Sequence, residues 1–284
     1  MSTFKHRVFS IFFLLGLFLN INLSYAYTVA GANGSITPDS GLWAFDGAYL
    51  TDFRAALENP AYFGSGGIVD ETINTVGLDA INAATLSTAD MFISTWISDA
   101  DGAAFGDAVV DFFLNGGDLY LLQDDSSHDY IGQLLGLTTS VSTGSVSNGG
   151  VPLFDGPFGT ATDVTQHYNV GQLDAAAISA HNGHIGGTNV EGQVTSAFWA
   201  AGEYAAGAGS LFIVADIDMI ASTTACGLPV CGASYAPLND NGIYALNTFS
   251  FLKENGGTSV PEASSIYLLA FGLLGLFSLG RRKV

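Results

Sequence analysis

Three short, almost wholly apolar runs constrain the fold of this chain more than any other feature. Residues 90–96 (DMFISTW), 118–122 (DLYLL) and 210–215 (SLFIVA) each have the length of a strand and carry almost no polar alternation. A strand with one face in water alternates apolar and polar side chains, whereas a strand covered on both faces does not. Between the first two runs, residues 104–114 repeat apolar side chains at helical spacing and stop at Asn115-Gly116-Gly117, as a helix end before a turn does. Strand, helix and strand in succession predict parallel pairing through right-handed crossovers. A short first strand at 27–30, a helix at 51–58 ended before Pro60, an alternating strand at 68–76, a helix at 129–135, a strand at 195–199 and a closing helix at 243–252 complete the series. The expected class is α/β: one open parallel sheet with helices on both faces.

Residues 138–188 differ in texture, being rich in Gly, Ser, Thr and Asn, with short β-prone pieces and no helical period. They read as an insertion or irregular lobe. The stretch 140–150 reads as an exposed loop or hairpin, with Asn148-Gly149 as its turn signal. No repeat of solenoid or propeller spacing is visible.

Both ends have the character of targeting segments. Lys5, His6 and Arg7 precede the apolar residues 8–19, and Ser24-Tyr25-Ala26 places small residues at the two positions read by signal peptidase. Residues 1–26 are therefore expected to be a signal peptide cut between Ala26 and Tyr27. At the other end Val260, Pro261, Glu262 and Ala263 precede the apolar stretch 266–279, and Arg281, Arg282 and Lys283 follow it. About 14 to 17 apolar residues cross or nearly cross a bilayer, and a terminal basic cluster stays on the cytoplasmic side. Residues 264–280 are thus expected to form a transmembrane helix within a tail of residues 258–284, leaving residues 27–257 as one exported domain. About 230 residues suffice for one sizeable core.

The order Pro-Glu, apolar span and basic stop closely resembles the PEP-CTERM sorting signal. The resemblance implies export through the inner membrane of a Gram-negative bacterium, anchorage there by the tail, and recognition by an exosortase that acts near Pro261-Glu262. It further implies a place at the cell surface or in an extracellular matrix, alongside exopolysaccharide and biofilm formation. It implies no chemistry.

Five of the seven basic residues lie in these end segments, leaving Arg54 and Lys253 against the 26 acidic residues between Asp39 and Glu262, a balance of −24 for the portion ending at Glu262. Nucleic acid is excluded as a partner, because phosphate recognition needs clustered Lys and Arg. Such a surface suits salty or cation-rich surroundings, where screening and bound divalent ions relieve self-repulsion. Cys226 and Cys231 lie in TACGLPVCGA; in an exported chain a disulfide closing this short loop is the expectation. Structural zinc would need four Cys or His ligands.

The core pattern resembles catalytically silent branches of the class I glutamine amidotransferase-like superfamily, with a flavodoxin-like sheet. The pieces that carry it are LSTADMFISTW at 86–96, FGDAVVDFFLNGGDLYLLQDD at 105–125, VPLFDGPFG at 151–159, AGSLFIVADIDMI at 208–220 and NDNGIYALNTFSFL at 239–252. Active members place a nucleophilic cysteine in the elbow after the strand that 119–122 resembles. Here that elbow reads Gln123-Asp124-Asp125-Ser126-Ser127-His128, so amidotransferase chemistry does not carry over.

The same elbow is the candidate site, because ligands of open α/β sheets bind at the carboxyl ends of strands. Ser126 and His128 stand beside Asp124 and Asp125, but no glycine flanks Ser126 as a nucleophile elbow requires. The alternative is a helix N-cap by Ser126 or Ser127, with Asp129 favouring the helix dipole. Asp99 and Asp101 follow one strand and Asp216 and Asp218 another. Helix capping with general surface acidity explains these carboxylates, and a calcium site of six to eight oxygens is the competing account. No cofactor is implied. His181 and His184, three apart in a glycine-rich loop, have a spacing that can chelate a metal, but no H-E-x-x-H helix surrounds them and hydrogen bonding is the expected role. Trp43, Phe45, Tyr49 and Tyr168 are either core or a sugar-stacking surface. The expected function is that of a surface or matrix protein without catalysis; the competing readings are a glycan- or calcium-binding module, and a hydrolase at the strand ends.

Overall fold

The computed structural model describes residues 26–141, 146–147, 152–165, 171–189, 191–222 and 238–256. Residues 1–25 of the expected signal peptide, the Cys226–Cys231 loop, Tyr168 and the expected sorting tail with Val260, Pro261, Glu262 and its apolar span lie outside them. No helix among the described residues is long and apolar enough to cross a membrane.

Nine strands form the main sheet: β1 (Tyr27–Ala32), β2 (Ile73–Leu78), β3 (Met91–Ser94), β4 (Asp118–Leu122), β5 (Thr139–Val141), β6 (Gly171–Leu173), β7 (His184–Thr188), β8 (Val194–Trp199) and β9 (Leu211–Val214). Among the described residues seven α-helices accompany it: α1 (Thr51–Leu57), α2 (Ala83–Leu86), α3 (Asp99–Gly102), α4 (Gly106–Leu114), α5 (Tyr130–Leu134), α6 (Ala175–Ala180) and α7 (Asp240–Asn255). The order across the sheet is β2-β1-β3-β4-β9-β8-β6-β5, with β7 also paired to β8. The first five run parallel, in register Val29↔Met91, Phe92↔Leu119 and Phe212↔Tyr120. Among these five the order is 2-1-3-4-5, a doubly wound arrangement that reverses direction between β1 and β3.

The apolar runs end up where their lack of alternation requires. Every residue of β3, β4 and β9 is buried. Met91, Ile93, Tyr120, Leu122, Phe212 and Val214 face one core with Phe53 of α1 and Tyr244 and Phe249 of α7. Phe92, Leu119, Leu121, Leu211 and Ile213 face a second core with Val109 and Phe113 of α4, Ile131 of α5 and Ile178 of α6. Helices therefore cover both faces, and the period of two along each strand assigns neighbours to opposite layers.

The expected all-parallel sheet is corrected on one side. Beyond β9 the pairing turns antiparallel, with Ser196↔Val214 and Leu173↔Val194. The segment 138–188 is not a lobe apart from the sheet, since β5 and β6 extend it and α6 packs on it. Two small antiparallel pairs also arise there, the hairpin Asp155–Gly156 with Gly159–Thr160 and the longer-range pairing of Val146–Ser147 with Val164–Thr165. The first is fixed to α7: Phe158 N donates to Asn247 Oδ1 at 3.0 Å, and Asn247 Nδ2 donates to Gly159 O at 2.9 Å. At the opposite border, Thr75 N of edge strand β2 donates to Glu58 Oε1 at 3.0 Å, which occupies a donor that an unpaired edge leaves open.

Boundaries shift modestly elsewhere. The alternating strand begins at Ile73 instead of 68, because the preceding residues form a loop closed by a bridge between Phe63 and Val69. The closing helix is longer than its apolar period suggests, 16 residues capped by Asn239, whose side chain accepts from Gly242 N.

Candidate functional site

The carboxyl ends of β3, β4 and β9 gather the loops that hold every acidic residue proposed from the sequence. Leu122 pairs with Val214, so the turns leaving β4 and β9 start side by side. Asp124 is buried at the first turn and accepts a hydrogen bond from Ile217 N at 3.3 Å. Burial first, and then the charge of Asp218, push its carboxyl up to about 8. Desolvation alone raises Asp218 to about 6. Asp216 is fully buried, and its Oδ1 accepts from Asp218 N at 2.8 Å. Burial and the neighbouring charge of Asp218 both favour the protonated form of Asp124.

Asp125, Ser127 and His128 form a separate, local unit. Asp125 Oδ1 accepts from Ser127 N at 2.8 Å and from Ser127 Oγ at 2.5 Å, and lies 3.1 Å from His128 Nδ1. Partial burial alone would raise the Asp125 carboxyl, but these bonds from Ser127 and His128 hold it below its usual range. Ser127 Oγ also lies 3.0 Å from His128 Nδ1. A catalytic triad needs the two imidazole nitrogens on different partners, one facing the nucleophile and the other the carboxylate. Here one nitrogen faces both, and the ring stacks on Trp96 at 3.7 Å and 14°. The pocket behind it, between Ser94, Gln123 and His128, holds about 10 Å3, space for about one water. His128→Ala is accordingly expected to cost about 1 kcal/mol in urea unfolding through loss of the stack and ring bonds. Loss of an esterase turnover at unchanged stability would instead restore the hydrolase reading.

The expected N-cap by Ser126 or Ser127 is corrected, because Ser127 is committed to Asp125 and α5 begins after Asp129. Asp129 is itself buried: Oδ2 accepts from Thr139 N at 2.6 Å and Oδ1 from Gln133 Nε2 at 2.6 Å. It ties α5 to β5. Asp99 joins the same side of the edge, accepting from Asp129 N at 3.2 Å and Gln133 Nε2 at 2.9 Å. Asp101 Oδ2 accepts from Asp39 N at 3.3 Å, while Ser98 caps α3. The carboxylates thus divide between the Asp124–Asp218 pair, the Asp125 turn and the Asp99–Asp101 caps. Among the described residues no group of three or more His, Cys, Asp or Glu side chains converges as metal ligands.

The histidines near β7 are separately engaged. His181 stacks on Tyr204 at 4.5 Å, and its carbonyl accepts from Trp199 Nε1; His184 Nε2 lies 3.1 Å from Glu203 Oε2. Of the aromatic residues, Phe45 is core, and Trp43 and Tyr49 meet edge to face at 4.5 Å and 71°. Two further groups at the poles carry little signal in the sequence. Trp96 was assigned only to a strand, although its ring packs on His128 at the edge. Asp118, at the opposite pole, is buried and accepts from Tyr27 OH at 2.5 Å and from Ser210 N and Oγ, each at 2.8 Å. Its only sequence signal was a charged residue opening an apolar run.

No family model matches the chain, and no curated protein matches it. Among solved structures it is similar to the mmIFT52 N-terminal domain, at 13% identity and a TM-score of 0.50, covering 80% of this chain and 97% of that one. Cytoplasmic Protein STM3548 from Salmonella typhimurium is 12% identical with a TM-score of 0.44, covering 74% of this chain and 88% of that one. Exo-beta-1,4-mannosidase Op5Man5 from Opitutaceae bacterium strain TAV5 is 13% identical with a TM-score of 0.34, covering 52% of this chain and 24% of that one. Of these three, the first reaches a TM-score at which a common fold can be argued, and at that identity the likeness extends to the fold alone.

Proposed function

We propose that this chain is an exported, exosortase-sorted protein of a Gram-negative cell surface or extracellular matrix, carrying a non-catalytic α/β domain of glutamine amidotransferase-like, flavodoxin-like kind. The observation that carries the non-catalytic reading is the elbow after β4. It presents Gln123, Asp124 and Asp125 where a nucleophile would stand, and its one Ser–His–Asp grouping shares a single imidazole nitrogen. The ends of the domain support the export reading. Tyr27 and Gly256 both lie against Asp118, so the two expected targeting segments leave from one pole, at the amino ends of the strands. The acidic loops occupy the opposite pole. A domain held by its tail would therefore turn its carboxyl edge away from the membrane.

Peptide mapping of the native protein from membrane, surface and medium fractions tests this reading. A carboxyl terminus near Pro261-Glu262 in the surface or medium fraction is the expected result. An intact Lys283-Val284 end confined to membranes would make the chain a tail-anchored envelope protein and overturn the sorting proposal.

A further inference from the structure

β1 begins at the rim of a cavity of about 750 Å3 at the amino pole. Leu86, Ala108 and Phe112 supply apolar wall. Its ionisable lining comes from every neighbouring element: Glu71 before β2, Asp90 before β3, Asp111 of α4, Asp118 of β4 and Lys253 of α7, with the Tyr27 phenol itself. Lys253 is paired with Glu71. Four carboxyl groups thus face one cation that is already engaged. Two of them reach the start of β1, where Thr28 N donates to Asp90 Oδ2 at 2.7 Å and Tyr27 OH donates to Asp118 Oδ2 at 2.5 Å. Tyr27 N donates to Thr72 O at 2.9 Å, next to Glu71.

We infer that the missing charge at this pole is supplied by the α-ammonium group formed when the chain is cut between Ala26 and Tyr27, so that removal of the leader stabilises the domain it releases. The inference rests on the export reading, from which the cut is taken. Hydrolysis adds the hydroxyl of water to the Ala26 carbonyl and leaves the peptide nitrogen on Tyr27, where it takes up protons from water. A neutral amide with one hydrogen becomes a cation with three, still able to donate to Thr72 O and now attracted by Asp90, which reaches the next backbone nitrogen, and by Glu71 beside Thr72. An amine that gains carboxylate partners on folding has its folded value raised above the ordinary range of about 8. Its stabilisation is complete below that range and is lost as pH rises through the folded value. The Tyr27 phenol does not intrude, because burial and Asp118 hold it well above its usual value.

The test compares two chains in one detergent, the first starting at Tyr27 and running to Val284, the second retaining Ser24-Tyr25-Ala26 ahead of Tyr27. At pH 6 both carry the same charge, but in the second the ammonium is moved three residues away; at pH 10 partial ionisation of the added Tyr25 is matched by a control chain with Tyr25→Phe. The first is expected to melt higher at pH 6 by roughly 2 to 4 °C, with the margin gone at pH 10 and reduced by Asp90→Asn. Equal melting at pH 6, or a margin undiminished at pH 10, would overturn the inference. Amino-terminal sequencing of the native protein is read separately: a start elsewhere than Tyr27 overturns the expected cut, whereas the melting comparison addresses the ammonium.

Discussion

Replacing Asp124 by asparagine is expected to raise the stability of the domain at pH 8 while leaving it nearly unchanged at pH 4. The native carboxyl is pushed up to about 8, chiefly by burial and then by Asp218, while in the unfolded chain it titrates near 4. Between those values the native state holds a proton that the unfolded state has released, so stability falls as pH rises through this window and levels off above it. One such proton is worth about 1.4 kcal/mol per pH unit, and the whole window amounts to the order of 3 kcal/mol after allowance for relaxation and water entry around the pair. Asparagine keeps an acceptor for Ile217 N and has no charge to desolvate. Urea unfolding of both proteins at pH 4, 6 and 8 reads the effect. Parallel pH profiles would show that Asp124 is ionised at no cost and that the buried pair is not as described. Asp118 and Asp218, each raised to about 6 by burial, add to the same slope in both proteins, so the wild-type chain is expected to be more stable at pH 5 than at pH 8.

Phe212→Ala is expected to cost about 3 to 5 kcal/mol, the range for removing a fully buried aromatic ring from a core. Phe212 lies in central strand β9 with no exposed surface, and its ring meets Tyr120 at 5.0 Å and 90° and Tyr244 at 6.1 Å. The hole would open where β4, β9 and α7 meet, between elements that cannot close upon it without breaking the sheet register. The expected measurement is a lower urea midpoint at an unchanged slope. A loss below about 1 kcal/mol would mean that the ring is not enclosed on all sides.

The core strands were legible because an unalternating apolar run of strand length has few other places to go. DLYLL at 118–122 and LFIV at 211–214 became β4 and β9 with almost no change of boundary. The helix at 106–114 was legible from its period and from Asn115-Gly116-Gly117. The polar strands β5 and β6 were not, since Thr139, Ser140, Gly171 and Gln172 carry no burial signal of their own. They become strands by adding to an existing edge. At the candidate site the sequence placed the acidic residues at strand ends, but it could not tell which of them would be dry. Asp124 and Asp125 are adjacent in the chain, yet burial raises one and hydrogen bonds from Ser127 and His128 lower the other.

The sequence alone determined which segments are buried, where the central helices stop, how acidic the interior of the chain is, and that the elbow after β4 lacks a thiol. Each of these is a property of composition or local period, and needs no partner to be read. Only the tertiary structure decided that β8 joins β9 antiparallel, that Asp99 answers to Asp129 rather than to Asp124, and that Tyr27 and Gly256 meet at Asp118. Those outcomes depend on which distant segments exclude water from one another, and the strength of a charge in a protein is set by that exclusion.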